Sequence, residues 1–126
     1  MQGNFAEGVI DGDGNMTFSD LSWYAGEFYN GIRHGKGHYV SSVYNVSYYG
    51  YWYLGKKHGK GIIYYGDEPN KYYSGEFMNG DRHGYGSRQY RSGARYFGEW
   101  QHGRRHGVGT MVFPNNDVSN YCSRKM

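Results

Sequence analysis

The sequence predicts an all-β protein, an elongated single-layer antiparallel sheet of about five stacked β-hairpins. Three observations lead to this prediction. A phrase of about two dozen residues recurs along the chain, which is typical of repeat architectures. Aromatic residues make up 20% of the 126 residues, and Tyr and Trp suit a thin, half-buried sheet face better than a thick aliphatic core. The 22 glycines fall mostly at fixed positions of the phrase, as expected for turns and close backbone approach.

The chain divides into five units over residues 1–113, each opened by the same phrase. A degenerate first copy begins at Met1. The later copies are YAGEFYNGIRHGKG at 24–37, YYGYWYLGKKHGKG at 48–61, YSGEFMNGDRHGYG at 73–86 and YFGEWQHGRRHGVG at 96–109. The units are therefore 1–23, 24–47, 48–72, 73–95 and 96–113. The remaining residues, 114–126, are expected to form a short irregular tail.

Each unit is predicted to be one hairpin, because two strand patterns flank a turn signal. In the fourth unit Tyr73, Gly75 and Phe77 share one face of the first strand under period-two alternation. Asn79-Gly80 then supplies two positions that accept positive φ, as a tight hairpin turn requires. Taken in order along the chain, the turn glycines of the five units are Gly8, Gly31, Gly55, Gly80 and Gly103. About ten strands result.

Composition limits the function classes. The net charge is only +3 and no groove-reading element is present, so nucleic-acid binding is not predicted. No stretch is apolar enough to cross a bilayer, and the single Cys122 excludes an internal disulfide. We therefore expect a protein of the cytoplasm, a reducing compartment. Both ends of an open sheet would expose unpaired backbone groups, so we expect a longer protein, a partner or a second copy to cover them.

The repeated polar residues are predicted to be structural, and no catalytic, cofactor-binding or metal site is expected. A histidine follows Arg or Lys in four units, at His34, His58, His83 and His106. Equivalent residues of successive units would lie roughly 10 Å apart, too far to share a zinc ion, so we expect these histidines to satisfy backbone groups of turns. A recurring glutamate is expected to make a fixed hydrogen bond to the neighbouring turn. It is present at Glu27, Glu76 and Glu99.

An aromatic face is the candidate protein-binding surface. It combines the Tyr that opens each phrase with the Phe or Trp that follows it: Tyr24, Phe28, Tyr48, Trp52, Tyr73, Phe77, Tyr96 and Trp100. One interpretation is a groove for an extended peptide or a partner helix. The other is internal packing between neighbouring units. Because a single-layer sheet has no second layer to cover its face, both interpretations stay open.

A basic edge is the second candidate surface. Lys and Arg residues are expected along the turn side of the hairpins, at Arg33, Lys36, Lys56, Lys57, Lys60, Arg82, Arg104 and Arg105. Such an edge suits contact with anionic lipid head groups or with an acidic protein. It equally suits the role of a solvated edge that keeps the sheet soluble.

The phrase Tyr-x-Gly-Glu-Phe/Trp-x-x-Gly-x-x-His-Gly-x-Gly resembles the MORN repeat (membrane occupation and recognition nexus) over residues 1 to about 113. The resemblance implies a curved antiparallel sheet of stacked hairpins with a groove. Within the family, the register is similar to that of the MORN-repeat proteins of the ciliary radial spoke head. The stretches that carry this similarity are residues 26–35, 55–65 and 90–100.

These observations predict a non-enzymatic protein–protein interaction scaffold, a cytoskeletal component of a cilium or flagellum axoneme such as the radial spoke head. The expected partners are axonemal or cytoskeletal proteins, and a copy of the chain itself through the open sheet edges. The alternative is a peripheral membrane module that binds acidic phospholipid through the basic edge, and a weak contact of this kind is compatible with the scaffold. A third alternative, the regulatory part of an enzyme completed by another chain, has no feature that selects it.

Overall fold

The computed structural model describes residues 2–6, 9–66 and 70–123. These residues form one open antiparallel sheet in which eleven strands lie side by side in chain order. The strands are β1 (Gln2–Ala6), β2 (Val9–Thr17), β3 (Trp23–Tyr29), β4 (Ile32–Ser41), β5 (Val46–Tyr53), β6 (Lys56–Tyr65), β7 (Tyr72–Met78), β8 (Asp81–Gln89), β9 (Arg95–Gln101), β10 (Arg104–Val112) and β11 (Val118–Ser123). Within the described ranges no helix is long and apolar enough to cross a membrane. The predicted all-β sheet of antiparallel hairpins is confirmed.

Four hairpins close on the two-residue turns that the sequence predicts. Between β3 and β4, Asn30 and Gly31 have φ angles of 51° and 80°, the pair of positive values that a type I′ turn needs. Positive φ at both turn residues recurs in the next three hairpins, at Leu54-Gly55, Asn79-Gly80 and His102-Gly103. The turn predicted for the first unit falls at Gly8, which lies outside the described residues.

Each of these hairpins contains one β-bulge, a local widening of the strand pair, between its paired glycines and its turn. In the second unit Gly26 pairs with Gly37 and Phe28 pairs with Arg33, so a longer stretch of β4 opposes a shorter stretch of β3. The widened stretch contains Gly35, whose φ of 88° lies in the left-handed region that favours glycine. The second half of the phrase therefore needs two glycines, one for the widening and one for the pair.

The core lies on one face of the sheet, called the packed face below. Its buried members are Ile10, Tyr24, Phe28, Tyr48, Trp52, Ile63, Tyr73, Phe77, Tyr96 and Trp100. Partly buried side chains pack around them, among them Phe18, Tyr39, Tyr65, Tyr90 and Met111. The core is thus a row of aromatic rings that runs across the strands, which is how a thin sheet buries apolar surface without a second layer.

The C-terminal segment differs from the irregular tail expected over 114–126. Val118–Ser123 form β11, which pairs with β10 from Val112↔Val118 to Gly107↔Ser123. A turn leads into it, in which the Phe113 amide donates to the Asp117 carbonyl at 2.9 Å. Pairing with an edge strand uses backbone groups, so β11 forms without the side chains of the phrase.

Candidate interaction surfaces

On the packed face, the Tyr that opens each phrase lies across the paired glycines of its own hairpin. A Cβ atom on Gly37 would overlap the ring of Tyr24. The Tyr24 hydroxyl donates a hydrogen bond to the Glu27 carbonyl at 2.8 Å. Burial raises the pKa of Tyr24 to about 12, so the hydroxyl keeps its proton. The equivalent hydrogen bond is made in the next three units by Tyr48, Tyr73 and Tyr96.

The same rings join neighbouring units. The Tyr24 centroid lies 5.1 Å from that of Phe28 in its own unit and 5.4 Å from that of Trp52 in the next, both edge to face. The Trp52 indole also donates to the Gly37 carbonyl at 3.3 Å. Tyr73 and Trp100 repeat the contact between units at 5.1 Å. Such ring pairs stabilise a fold by about 0.5–1.5 kcal/mol each beyond their burial, so they couple each unit to the next.

The predicted aromatic face is therefore an interior and not an accessible surface. Its eight side chains are only 0–5% exposed: Tyr24, Phe28, Tyr48, Trp52, Tyr73, Phe77, Tyr96 and Trp100. The interpretation as a groove for a partner is corrected, because the rings cover one another and are covered by basic side chains. Ring packing within and between units accounts for all eight.

The predicted basic edge divides between the two faces of the sheet. Arg33 pairs with Phe28 and shares its face, where the guanidinium lies 4.6 Å from the Trp52 ring centroid. It also donates to the Gly55 carbonyl at 3.1 Å. Half-buried equivalents in the next three units are Lys57, Arg82 and Arg105. The other four basic residues are exposed on the opposite face: Lys36, Lys56, Lys60 and Arg104. Strand alternation separates the two sets, so a single eight-residue edge does not form.

Two of the four repeated histidines, His34 and His58, satisfy a backbone amide at the turn of the following unit, as predicted. His34 Nδ1 accepts a hydrogen bond from the Leu54 amide at 3.1 Å, and His58 Nδ1 accepts one from the Asn79 amide at 3.4 Å. In the first unit, Asp11 takes this role and accepts from the Asn30 amide at 3.0 Å. In each of the first three units, a polar side chain thus satisfies a backbone donor one unit further along the chain.

The repeated glutamates make the fixed hydrogen bond that the sequence predicts, although its donor lies in their own hairpin. Glu27 accepts from the Lys36 amide at 2.8 Å, where β4 widens. Glu76 and Glu99 accept from the amides of Tyr85 and Val108 at 3.1 Å and 3.0 Å. The third unit has Tyr51 in place of the glutamate. The carboxylates are therefore engaged with backbone and are not a pair arranged for acid–base chemistry.

The opposite side of the sheet, called the outer face below, carries aromatic residues that belong to neither predicted surface. Tyr49, Tyr51 and Tyr53 on β5 are 46%, 49% and 53% exposed. A ladder of ring contacts crosses strands β3 to β7, with centroid distances between 3.7 and 6.3 Å, through Trp23, His38, Tyr49, Tyr64 and Tyr72. The period-two alternation of β5 indicates this arrangement, because Tyr49, Tyr51 and Tyr53 alternate with the inward-facing Tyr48 and Trp52 and therefore face outward.

A trough crosses the outer face above the paired glycines. Its larger part has a volume of about 440 Å³ and is lined by Tyr49, Ile62, Ser74 and Tyr85, with Lys36, Lys60 and Glu76 beside them. A second part of about 370 Å³ lies over Ala25 and shares Lys36 and Tyr49 with the first. The two parts together are called the outer trough. The lining of the outer trough combines apolar surface, backbone groups and a few charged side chains, a composition typical of a binding site for a protein segment.

In comparison with known protein families, the chain matches the model described as the MORN repeat. The model matches residues 2–22, 24–46, 48–68, 73–95 and 96–118. The matched segments together cover most of the chain, and each contains one copy of the phrase.

Proposed function

Because the chain belongs to the MORN-repeat family, we propose that it is a non-enzymatic scaffold that binds other proteins through the outer face of its sheet. MORN repeats are in general interaction modules for proteins or membrane lipids. The observation that carries the proposal is the outer trough, which borders half-exposed tyrosines, whereas the packed face is occupied by its own side chains. Exposed aromatic side chains around an apolar depression are typical of protein-binding surfaces.

The finer part of the proposal is a place in the axoneme of a cilium or flagellum, such as the radial spoke head. Its support is the similarity in register over residues 26–35, 55–65 and 90–100. On this proposal the protein is cytoskeletal and its partners are axonemal proteins. The engagement of the repeated His and Glu side chains with backbone amides is the reason for proposing a scaffold and not an enzyme.

Fractionation of ciliated cells tests the proposal. A tagged full-length copy is expressed, membranes are extracted with detergent, and the axoneme is washed with salt. We expect the protein to stay with the washed axoneme and Tyr49→Ser/Tyr85→Ser to be released from it. The matched control is Leu21→Ser/Tyr44→Ser, which changes two exposed side chains, 74% and 80% exposed, outside the trough. Departure of the wild type with the detergent extract would remove the axonemal proposal.

Binding of acidic membranes is the second candidate function. The observation in its favour is the exposure of Lys36, Lys56, Lys60 and Arg104 on the same face. It predicts co-sedimentation with phosphatidylserine vesicles that falls steeply with salt and is lost in Lys56→Glu/Arg104→Glu. Equal binding to neutral vesicles would argue against an electrostatic contact. Lys57 and Arg105 are unsuitable for this test because they lie over the core rings.

A further inference from the structure

We propose that the outer trough seats an amphipathic α-helix of a partner protein, with a carboxylate of that helix placed between Lys36 and Lys60. This inference rests on the proposed scaffold function and names the chemistry of the partner segment. Three features of the outer face support this proposal. They are the hydrogen bonding of the sheet backbone, the sizes of the side chains that line the trough, and the order of charged residues along the trough.

The sheet backbone favours a helix over an extended segment. Strands β4 to β8 are each paired on both sides, so their backbone groups are already used. An extended peptide laid on the face of such a sheet would place its own amides and carbonyls over apolar surface without partners, which is costly. An α-helix satisfies these groups internally and presents only side chains.

The shape of the trough fits a helix that crosses the strands. The outward residue before the first paired glycine alternates in size from unit to unit: Ala25, Tyr49, Ser74 and Phe97. The small Ala25 lines one part of the trough and the small Ser74 lines the other, and the larger Tyr49 lies on the strand midway between them and borders both parts. The two small residues lie four strands apart, roughly 19 Å at about 4.8 Å per strand. Residues two heptads apart on one face of a helix are separated by about 21 Å, so two apolar side chains can fill both hollows.

The order of charges gives the partner's polarity. One row of outward residues runs across β2 to β7, since Asp13 pairs with Glu27, Lys36 with Tyr51 and Lys60 with Glu76. The row is therefore acidic at both ends and basic in the middle. The middle is basic because Tyr51 replaces the glutamate of the other units. A complementary helix has a carboxylate at its centre and a basic residue about one heptad to either side, since roughly 10 Å separates β5 from β3 and from β7.

A display library tests the proposal with the full-length protein. Helix-favouring peptides of about 20 residues vary along one face among apolar, acidic and basic side chains, and a second library of equal size carries two central prolines. We expect binders from the helical library only, with Asp or Glu at the centre and Lys or Arg about one heptad away. Lys36→Glu/Lys60→Glu should weaken these binders at least about tenfold. Ser74→Trp, which fills a hollow, should weaken them to a similar extent.

Two matched variants separate the trough from general electrostatics and from misfolding. Lys56→Glu/Arg104→Glu makes the same change in net charge on exposed residues outside the trough and should change affinity by less than about threefold. Ser92→Trp adds the same ring at an exposed turn and should leave binding intact. Thermal unfolding of each variant shows whether the sheet is preserved.

Several results would overturn the helix. One is that no helical peptide is selected. Another is that the selected peptides bind Lys36→Glu/Lys60→Glu as tightly as they bind the wild type. The third is that only the proline library gives binders. Vesicle binding that Lys36→Glu/Lys60→Glu abolishes, with no helix selected, would assign these lysines to lipid. If axonemal retention survives both this variant and Ser74→Trp, the scaffold stands and the helix proposal falls. If helices bind as expected but the protein leaves with detergent, the trough stands and the axonemal proposal falls.

Discussion

At the scale of single residues, Lys57 is the departure from the phrase with the clearest physical consequence. Arg33 and Arg82 each lie over the Trp of the following unit and donate to the carbonyl of its turn glycine. Lys57 occupies the same position, but its ammonium lies 5.9 Å from the Trp52 centroid of its own unit. Burial, and then the charge of Arg33, lowers the pKa of Lys57. The third unit therefore has a compact ammonium group at a position where a planar guanidinium would donate an additional hydrogen bond.

Lys57→Arg is expected to stabilise the protein by about 0.5–1.5 kcal/mol, because the guanidinium can reach the Gly80 carbonyl and spreads its charge over a ring. Urea unfolding at neutral pH measures the change. Arg82→Lys is the matched reverse substitution and should cost a similar amount. If both substitutions leave the free energy of unfolding unchanged, the hydrogen bonds from Arg to the turn carbonyls contribute nothing to stability.

The buried tyrosine hydroxyls make stability fall at alkaline pH. Burial raises the pKa of Tyr24 from its ordinary 10.0 to about 12, and the pKa values of Tyr48 and Tyr73 are raised in the same direction. Below pH 10 these hydroxyls are protonated in both folded and unfolded chains, so their contribution is fully present. As the pH rises from 10 towards 12, the unfolded chain loses protons that the folded chain keeps.

The contribution of these tyrosines to the free energy of unfolding should therefore be level between neutral pH and about pH 9 and decline as the pH rises through 10 towards 12. Chemical unfolding at a series of alkaline pH values measures this dependence. Tyr48→Phe should be less stable near neutral pH, because it loses the hydrogen bond to the Tyr51 carbonyl, and should show a shallower alkaline decline. An unchanged slope in this variant would mean that other groups cause the alkaline loss.

At the scale of elements, the tight turns show how local chemistry sets the hairpins. The third hairpin places Leu54 at a φ of 45°, a region that costs a branched side chain roughly 1–2 kcal/mol, whereas Asn tolerates it. Leu54→Asn should therefore stabilise the protein by about 1 kcal/mol, since the side chain is half exposed and little burial is lost. Asn79→Leu, at φ 50° in the next hairpin, should destabilise by a similar amount. Thermal unfolding compares them, and the same sign for both changes would contradict the turn argument.

The strands and turns were predictable because their signals are local. Asn-Gly pairs fix the hairpin turns, and period-two alternation fixes which residues share a face. The strand β11 was not predictable from the phrase, because it pairs through backbone alone. The division of the basic residues does not follow from nearness to the turn, because Arg33 and Lys36 lie near the same turn on opposite faces of the sheet. The outer trough depends on small residues such as Ser74 beside larger neighbours, a relief that emerges only when strands are placed side by side.

At the scale of the whole molecule, the sheet is a one-dimensional array. Each strand pairs with its chain neighbours, and the ring contacts and hydrogen bonds that join units run from one unit to the next. Stability in such an array is approximately a sum of unit terms and nearest-neighbour terms. A defect in the central unit should therefore uncouple the two sides, whereas a defect near one end should leave the far side folded. The outer trough spans the central units, so its shape depends on this coupling.

Trp52→Ala tests the array directly. Trp52 contacts Tyr24 and Arg33 of the preceding unit and donates to the Gly37 carbonyl, and its truncation should cost about 3–5 kcal/mol. Hydrogen exchange should show the largest loss of protection in β4, β5 and β6 and a small loss in β9 and β10. Trp100→Ala is the matched change in the last complete unit and should affect β8 to β10 while sparing β3 and β4. A uniform loss over all strands in both variants would mean that the sheet unfolds as one cooperative block, and nearest-neighbour coupling would then not describe it.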